Sequence, residues 1–169
     1  MSSIPHPDIQ AKAVNCVVIT VSDTRSPAND SSGQLIKELL TEAGHQIVAY
    51  TIVKDEPEQI IELLKQFAER LEVEVLIFNG GTGVAPRDTT YDAISQVLEK
   101  TLPGFGELFR YLSYEEIGSR AIASRAVAGV YRQKLIFSLP GSTRGVRLAL
   151  ERLILPEIVH LVKLLSGQS

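Results

Sequence analysis

A short apolar run that ends in three glycines constrains this chain more than any other stretch. Val73, Val75, Leu76, Ile77 and Phe78 are strong β-formers in close succession, the pattern of a buried strand. Asn79 then leads into Gly80-Gly81-Thr82-Gly83. Glycine reaches positive φ without strain and lets another molecule come close to the backbone. Successive free N–H groups in such a turn form a concave anion site. Beyond the loop, Arg87 adds a fixed positive charge and Asp88 a carboxylate, and Thr89 or Thr90 is placed to cap a helix read from Tyr91. Strand, glycine loop, cation, carboxylate and helix start, in this order, suit a polyphosphate with a bound metal ion. The spacing is neither the dinucleotide fingerprint nor a Walker A loop, and the plain alternative is a tight turn that binds nothing.

The rest of the chain repeats the same alternation. Residues 16–21 read as a first strand ending in the polar cluster Ser22-Asp23-Thr24-Arg25. A helix follows from Ser31 or Ser32 to Ala43, with Leu35, Ile36, Leu39 and Leu40 on one face and Gly44 as its stop. Residues 46–53 form a second strand running into Lys54-Asp55-Glu56-Pro57, where Pro57 suits the first turn of a helix extending to about Arg70. The helix after the glycine loop is expected to run to about Lys100, burying Ile94, Val97 and Leu98. Strands alternating with helices imply right-handed crossovers and an α/β fold. The expected architecture is three layers around a mostly parallel, doubly wound sheet. The ends of the first three strands then share one edge, where Asp23, Asp55, the glycine loop and Asp88 line up. Ligands of open α/β sheets sit at that edge.

The second half is expected to carry punctuation at Pro103-Gly104-Phe105-Gly106, then a helix over 107–113 burying Leu108, Phe109 and Leu112. Another short helix is expected over 117–124. A short antiparallel hairpin over 126–131 and 134–139 turns at Arg132-Gln133, without the usual Asn-Gly chemistry. Pro140-Gly141-Ser142 makes a second glycine turn at a strand end. A helix follows from Thr143 to about Leu153, and Pro156 starts or kinks a last one over 157–165. Residues 1–13, with Pro5 and Pro7, read as a mobile arm, leaving one domain over 14–169.

Composition narrows the classes. At 169 residues, 44% hydrophobic and 22% charged, the chain matches an ordinary globular domain. Its single cysteine, Cys16, excludes an internal disulfide and fits a reducing cytoplasm. No secretory leader is read at the N-terminus, no apolar run is long enough to span a membrane, and the three histidines follow no zinc-ligand spacing. A net charge of −3 argues against nucleic-acid binding. Residues 1–86 hold 6 basic and 12 acidic side chains, net −6; residues 87–169 hold 11 and 8, net +3, mostly arginine. Arginine suits phosphate recognition. There is no Cys-His or Ser-His-Asp pattern for acyl transfer. Amide groups, carboxylates placed for Mg²⁺ and arginines are what phosphoryl or nucleotidyl transfer requires.

Taken together, Val21-Ser22-Asp23-Thr24, Asp55-Glu56, Gly80-Gly81-Thr82-Gly83 with Pro86-Arg87-Asp88, Pro103-Gly104-Phe105, Ser124-Arg125-Ala126 with Ala128-Gly129, and Leu139-Pro140-Gly141-Ser142 resemble the MoaB/MogA family of molybdenum-cofactor biosynthesis, which includes the G domain of gephyrin. The likeness spans roughly residues 14–165. Ser113-Tyr114-Glu115-Glu116-Ile117-Gly118-Ser119-Arg120 and the run from Arg87 to Asp92 look like the MoaB branch. The resemblance implies a cytoplasmic molybdopterin adenylyltransferase that uses Mg²⁺ and ATP. It implies Asp55 and Asp88 as catalytic and metal-binding residues. It implies that Gly80, Gly81, Thr82, Gly83, Pro140, Gly141 and Ser142 hold the nucleotide, and that Asp23, Ser124 and Arg125 meet the pterin. Glu107 and Ser113 match more weakly. It further implies a homotrimer or hexamer, with the molybdate-insertion protein of the pathway as a partner. The alternatives are a non-catalytic pterin-binding accessory protein and a nucleotide-binding domain of another pathway.

Overall fold

The computed structural model of the chain describes residues 12–167. Six strands form one sheet: β1 (Asn15–Val21), β2 (Gln46–Val53), β3 (Val75–Asn79), β4 (Lys100–Thr101), β5 (Val127–Tyr131) and β6 (Lys134–Leu139). Their order across the sheet is β2-β1-β3-β6-β5-β4. β2, β1, β3 and β6 are parallel, whereas β5 runs antiparallel to both β6 and β4. The α/β class, the mostly parallel sheet and the antiparallel hairpin are therefore as the sequence predicts.

The helices are α1 (Ser31–Glu42), α2 (Pro57–Ala68), α3 (Thr90–Val97), α4 (Pro103–Ile117), α5 (Thr143–Ala149) and α6 (Leu155–Leu165). The chain steps from β1 out to β2, then back across β1 to β3. Right-handed crossovers in opposite directions place their helices on opposite faces. Accordingly α1 packs with α4, α5 and α6 on one side, through Ile36, Phe109, Val146 and Ile158 against Cys16, Val18, Ile77 and Phe137. α2 and α3 cover the other side, through Ile60, Leu64 and Ile94 against Val17, Ile19, Leu76 and Phe78. β3 lies between these layers with Leu76, Ile77 and Phe78 fully buried, each worth roughly 1.5–3 kcal/mol of transfer free energy. Cys16 is likewise a small core residue, and burial pushes its thiol up to about 12, which leaves it protonated.

Several details depart from the sequence reading. α3 stops at Val97, because the next residues turn to pair Lys100 and Thr101 with β5. Pro103-Gly104-Phe105-Gly106 does not interrupt the chain; Pro103 sits in the first turn of α4, where its missing N–H costs nothing. α4 turns Leu108 outward, so that side chain is exposed rather than buried. The short helix expected over 117–124 is present as a 3-10 helix over Gly118–Ala123. Leu150–Ile154 make a π-helical turn that joins α5 to α6. That wider turn accommodates Pro156, whose ring would clash in an unbroken α-helix. The hairpin turn is of the primed kind, with Arg132 at φ 45° and Gln133 at φ 62°. Of the arm expected over 1–13, residues 1–11 lie outside the described residues; Lys12 pairs with Glu74 at 3.0 Å. Among the described residues no helix is long and apolar enough to cross a membrane.

Candidate functional site

The site is assembled where β1 and β3, neighbours reached by crossovers in opposite directions, end side by side. Gly80 leaves β3 at φ +107°, and a Cβ there would lie 2.2 Å from the carbonyl oxygen of Val21, so only glycine fits. Its N–H donates to Leu139 O at 2.9 Å, which ties the loop to the end of β6. The second glycine turn follows β6 directly. A Cβ on Gly141 would stand 3.3 Å from Gly80 Cα, so the two turns touch. Ser142 caps α5, its Oγ accepting from Gly145 N at 3.1 Å, and Pro140 and Gly141 stay half-buried beside the first loop.

Asp55 follows β2 and reaches over to the base of the glycine loop. It is 5% exposed. Its Oδ1 accepts from Thr89 N at 3.2 Å, Thr89 Oγ1 at 2.7 Å and Thr90 Oγ1 at 3.0 Å. Thr89 and Thr90 were the expected caps of α3, but neither side chain caps it; Gly81 O accepts from Thr90 N at 3.1 Å and Tyr91 N at 3.4 Å, and Asp55, 34 residues away, takes the N–H of Thr89 just before them. Gly81 lies against this group: at φ +68°, a Cβ would be 2.1 Å from Thr90 Oγ1 and 2.4 Å from Asp55 Oδ2.

Asp23, after β1, accepts from Asp55 N at 3.2 Å. Its carboxylate also takes Arg87 in a bidentate pair, Nε–Oδ2 2.6 Å and Nη2–Oδ1 3.0 Å. Arg87 bridges on to Glu56 Oε1 at 2.8 Å. The hydrogen bonds from Arg87 hold Asp23 below the usual carboxylate range, and those carboxylates in turn raise Arg87. Asp88 is half-buried and folds back, its Oδ2 accepting from Ala85 N at 3.2 Å; its Oδ1 accepts no hydrogen bond among the described residues. Asp23, Asp55 and Asp88 thus meet around one loop, as the topology predicts.

Arg125 closes the other side. Its Nε donates to Thr82 O at 3.0 Å and its Nη2 to Gly83 O at 2.6 Å, so it fixes the carbonyls of the glycine loop. The same guanidinium pairs with Asp92 at 2.9 Å and stacks 4.7 Å from the Tyr91 ring centre. Thr82 is buried beneath it. Ser124 precedes Arg125 at the end of the 3-10 helix, but its side chain makes no hydrogen bond among the described residues. Between loop and α3 opens a cleft of about 490 Å³, lined by Val84, Ala85, Asp88, Thr89, Asp92 and Arg125 among others.

One buried polar network beneath the site escaped the sequence reading. Asp30 caps α1 through Gly33 N at 3.0 Å and also accepts from Thr20 Oγ1 at 2.6 Å and Tyr50 OH at 2.5 Å. Asn79 donates to Thr20 Oγ1 at 3.0 Å and accepts from Ser32 Oγ at 2.8 Å. Arg25 contacts Ser32 Oγ and reaches Gly141 O at 3.2 Å, linking the first loop to the second glycine turn. Burial is the largest single influence on the Asp30 carboxyl and pushes it up. The hydrogen bonds from Thr20, Tyr50 and Gly33 and the Arg25 charge together outweigh it and hold it low. The available signal was Asn79 itself, a polar side chain closing an apolar strand, which must find partners once buried.

No group of three or more His, Cys, Asp or Glu side chains among the described residues is placed to hold a metal ion. A polyphosphate site does not require one, because Mg²⁺ is usually held by one or two carboxylates together with phosphate oxygens.

Residues 17–160 match the family described as "Probable molybdopterin binding domain". A molybdenum cofactor biosynthesis protein B of Halalkalibacterium halodurans is 51% identical over 164 residues, covering 96% of both chains. A crystal structure of a molybdenum cofactor biosynthesis protein B is similar at a TM-score of 0.92 and 48% identity, covering 94% of this chain and 99% of the other. The tungsten cofactor synthesizing protein MoaB of Pyrococcus furiosus is similar at a TM-score of 0.81 and 35% identity, over 94% and 99%.

Proposed function

Because this chain belongs to the MoaB/MogA family of molybdenum-cofactor biosynthesis proteins, we propose that it adenylylates molybdopterin at the expense of ATP. An oxygen of the pterin's terminal phosphate attacks the α-phosphorus of ATP. The bond from that phosphorus to the bridging oxygen breaks, and pyrophosphate leaves with the electron pair. The observation that carries this reading is the contact of two glycine turns, at Gly80 and Gly141, which follow the adjacent strands β3 and β6, with Asp55 and Asp88 beside the first of them. Backbone amides of residues 81–83 and of Gly141 and Ser142 cradle the nucleotide phosphates, while Gly80 N–H stays tied to Leu139 O. Arg125 keeps the loop in shape by holding the carbonyls of Thr82 and Gly83. A phosphate acceptor already carries its nucleophilic oxygen, so no general base is required. Positioning and charge stabilisation then supply most of the rate.

Asp88 fits a Mg²⁺ ligand: it faces the cleft and keeps Oδ1 clear of protein donors. When bound, the ion would offset the negative charge of the polyphosphate. Asp55 fits less directly, because its oxygens already hold the start of α3. That engagement favours a second reading, in which the chain binds molybdopterin without turning it over. Asp23, Ser124 and Arg125 remain the proposed pterin contacts.

A homotrimer or hexamer accounts for α4, whose Leu108, Tyr111 and Tyr114 recur every three residues and are exposed, with Ile122 nearby at 86%. Apolar patches of this kind mark association surfaces. Transfer of the product to a molybdate-insertion protein in the cytoplasm completes the proposal. The test is incubation of the purified protein with molybdopterin, ATP and Mg²⁺. Adenylylated pterin and pyrophosphate are expected in equal amounts. Pterin bound by folded protein with no ATP-dependent product supports the accessory reading instead.

A further inference from the structure

Arg87 stands at the mouth of the candidate site, yet its guanidinium is turned onto protein carboxylates. We propose that Asp23 and Glu56 form a clasp that holds Arg87 in reserve, and that the phosphates of an incoming nucleotide open it and take Arg87 over. The proposal rests on the nucleotide reading above and deepens it by assigning a phosphate-binding residue and the two groups that restrain it.

Arg87 joins all three loops of the strand edge: Asp23 after β1, Glu56 after β2, and its own loop after β3. Three contacts lead from it to the bowl. Arg87 bonds Asp23, Asp23 accepts from Asp55 N, and Asp55 Oδ2 lies where a Gly81 Cβ would sit. A ligand cradled at Gly81 would therefore lie two side chains, Asp55 and Asp23, from the guanidinium. The clasp is also weak enough to exchange. The side chains of Arg87, Asp23 and Glu56 are 55%, 35% and 39% exposed, so the clasp is open to water and to an incoming anion, and the single Glu56 arm is worth little. A polyphosphate offers the same planar fork several anionic oxygens at once, which arginine binds bidentately. Arg125 differs from Arg87 in that its guanidinium also holds the loop carbonyls Thr82 O and Gly83 O, so turning it away would release the loop itself.

The test is calorimetric titration of metal-free ATP, in the presence of chelator, into the full-length protein and its variants. Removing the metal isolates the arginine from any carboxylate–metal contribution. Glu56→Gln is expected to tighten ATP binding roughly two- to fivefold, the size of one exposed ion pair. Arg87→Gln is expected to weaken it about tenfold. In the double variant the gain from Glu56→Gln should vanish, because there is no guanidinium left to release. Glu58→Gln removes the same charge two residues on, in the first turn of α2, without an Arg87 contact, and should change little. Equal tightening by Glu58→Gln and Glu56→Gln, or a gain that persists without Arg87, overturns the clasp while leaving the proposed function standing. Absence of metal-free ATP binding in every protein also overturns it, and the proposed function is then judged by whether Mg-ATP binds.

Discussion

Replacing Asp55 separates two roles that coincide in one carboxylate. In Asp55→Ala, the backbone N–H of Thr89 and the hydroxyl of Thr90 lose their acceptor at the start of α3. Thr90 is fully buried, so its orphaned hydroxyl costs about 2 kcal/mol. The unpaired N–H of Thr89 adds about 1 kcal/mol, giving roughly 3 kcal/mol in all. For a chain of this length that is a fall in Tm of roughly 6–12 °C. In Asp55→Asn, the amide oxygen can take the place of Oδ1 and accept from the same three donors. Only the charge assistance is lost, about 1 kcal/mol or a few degrees. Urea and thermal unfolding at one fixed protein concentration measure both, since association would otherwise shift the midpoints. Under the proposed function Asp55→Asn also lowers turnover strongly, although the protein remains folded. An Ala variant as stable as the wild type would refute the assignment of Asp55 as the acceptor that holds the start of α3.

The remaining expectations are narrower. Gly81→Ala should destabilise by about 2 kcal/mol or more and abolish ligand binding, because its Cβ would overlap Thr90 Oγ1 at 2.1 Å in a left-handed backbone; Gly141→Ala, whose Cβ would meet Gly80 Cα at 3.3 Å, should fold nearly normally and show its effect in nucleotide affinity. Asp88→Asn should leave the unfolding midpoint within about 1 kcal/mol of wild type and remove adenylylation; unchanged turnover would refute its role. His45 accepts from Val14 N at 3.2 Å through Nδ1, and burial holds it below its ordinary 6.5. The folded state therefore resists protonation, so its contribution is full above 6.5, falls as pH drops toward the depressed folded value, and levels off below that; denaturation between pH 7.5 and 5 should show a loss that His45→Gln removes. Ile122→Glu or Tyr111→Glu should lower the mass seen by sedimentation if α4 and the adjoining 3-10 helix form the subunit contact.

The fold was legible where a period could express itself. β1 to β3 and α1 to α3 announce themselves by apolar runs and stripes long enough to carry a repeat. The hairpin of β5 and β6 was visible as two apolar runs, although its turn uses Arg132 and Gln133 at positive φ instead of Asn-Gly. β4 was not, because two paired residues, Lys100 and Thr101, have no period and are exposed. α4 was split because proline and glycine usually punctuate, and Pro103 here occupies the one helical turn that tolerates it. At the site, the shared strand edge brought Asp23, Asp55 and Asp88 together as reasoned. The hold of Asp55 on Thr89 N at the start of α3, the Arg25 bridge to Gly141 O and the Arg125 grip on Thr82 O were not legible. Each joins residues 34 or more apart in sequence, and such pairings are set by crossover geometry that local pattern does not encode.

One bowl, formed by the amides of residues 81–83 and the turn at Gly141, is proposed to receive the polyphosphate of a nucleotide next to Asp88. A crystal structure with molybdopterin and a non-hydrolysable ATP analogue measures this directly. The account predicts the analogue's phosphates within hydrogen-bond distance of those amides, with the terminal phosphate of the pterin pointed at the α-phosphorus. Phosphates bound elsewhere on the molecule, with the bowl closed against both ligands, would contradict it.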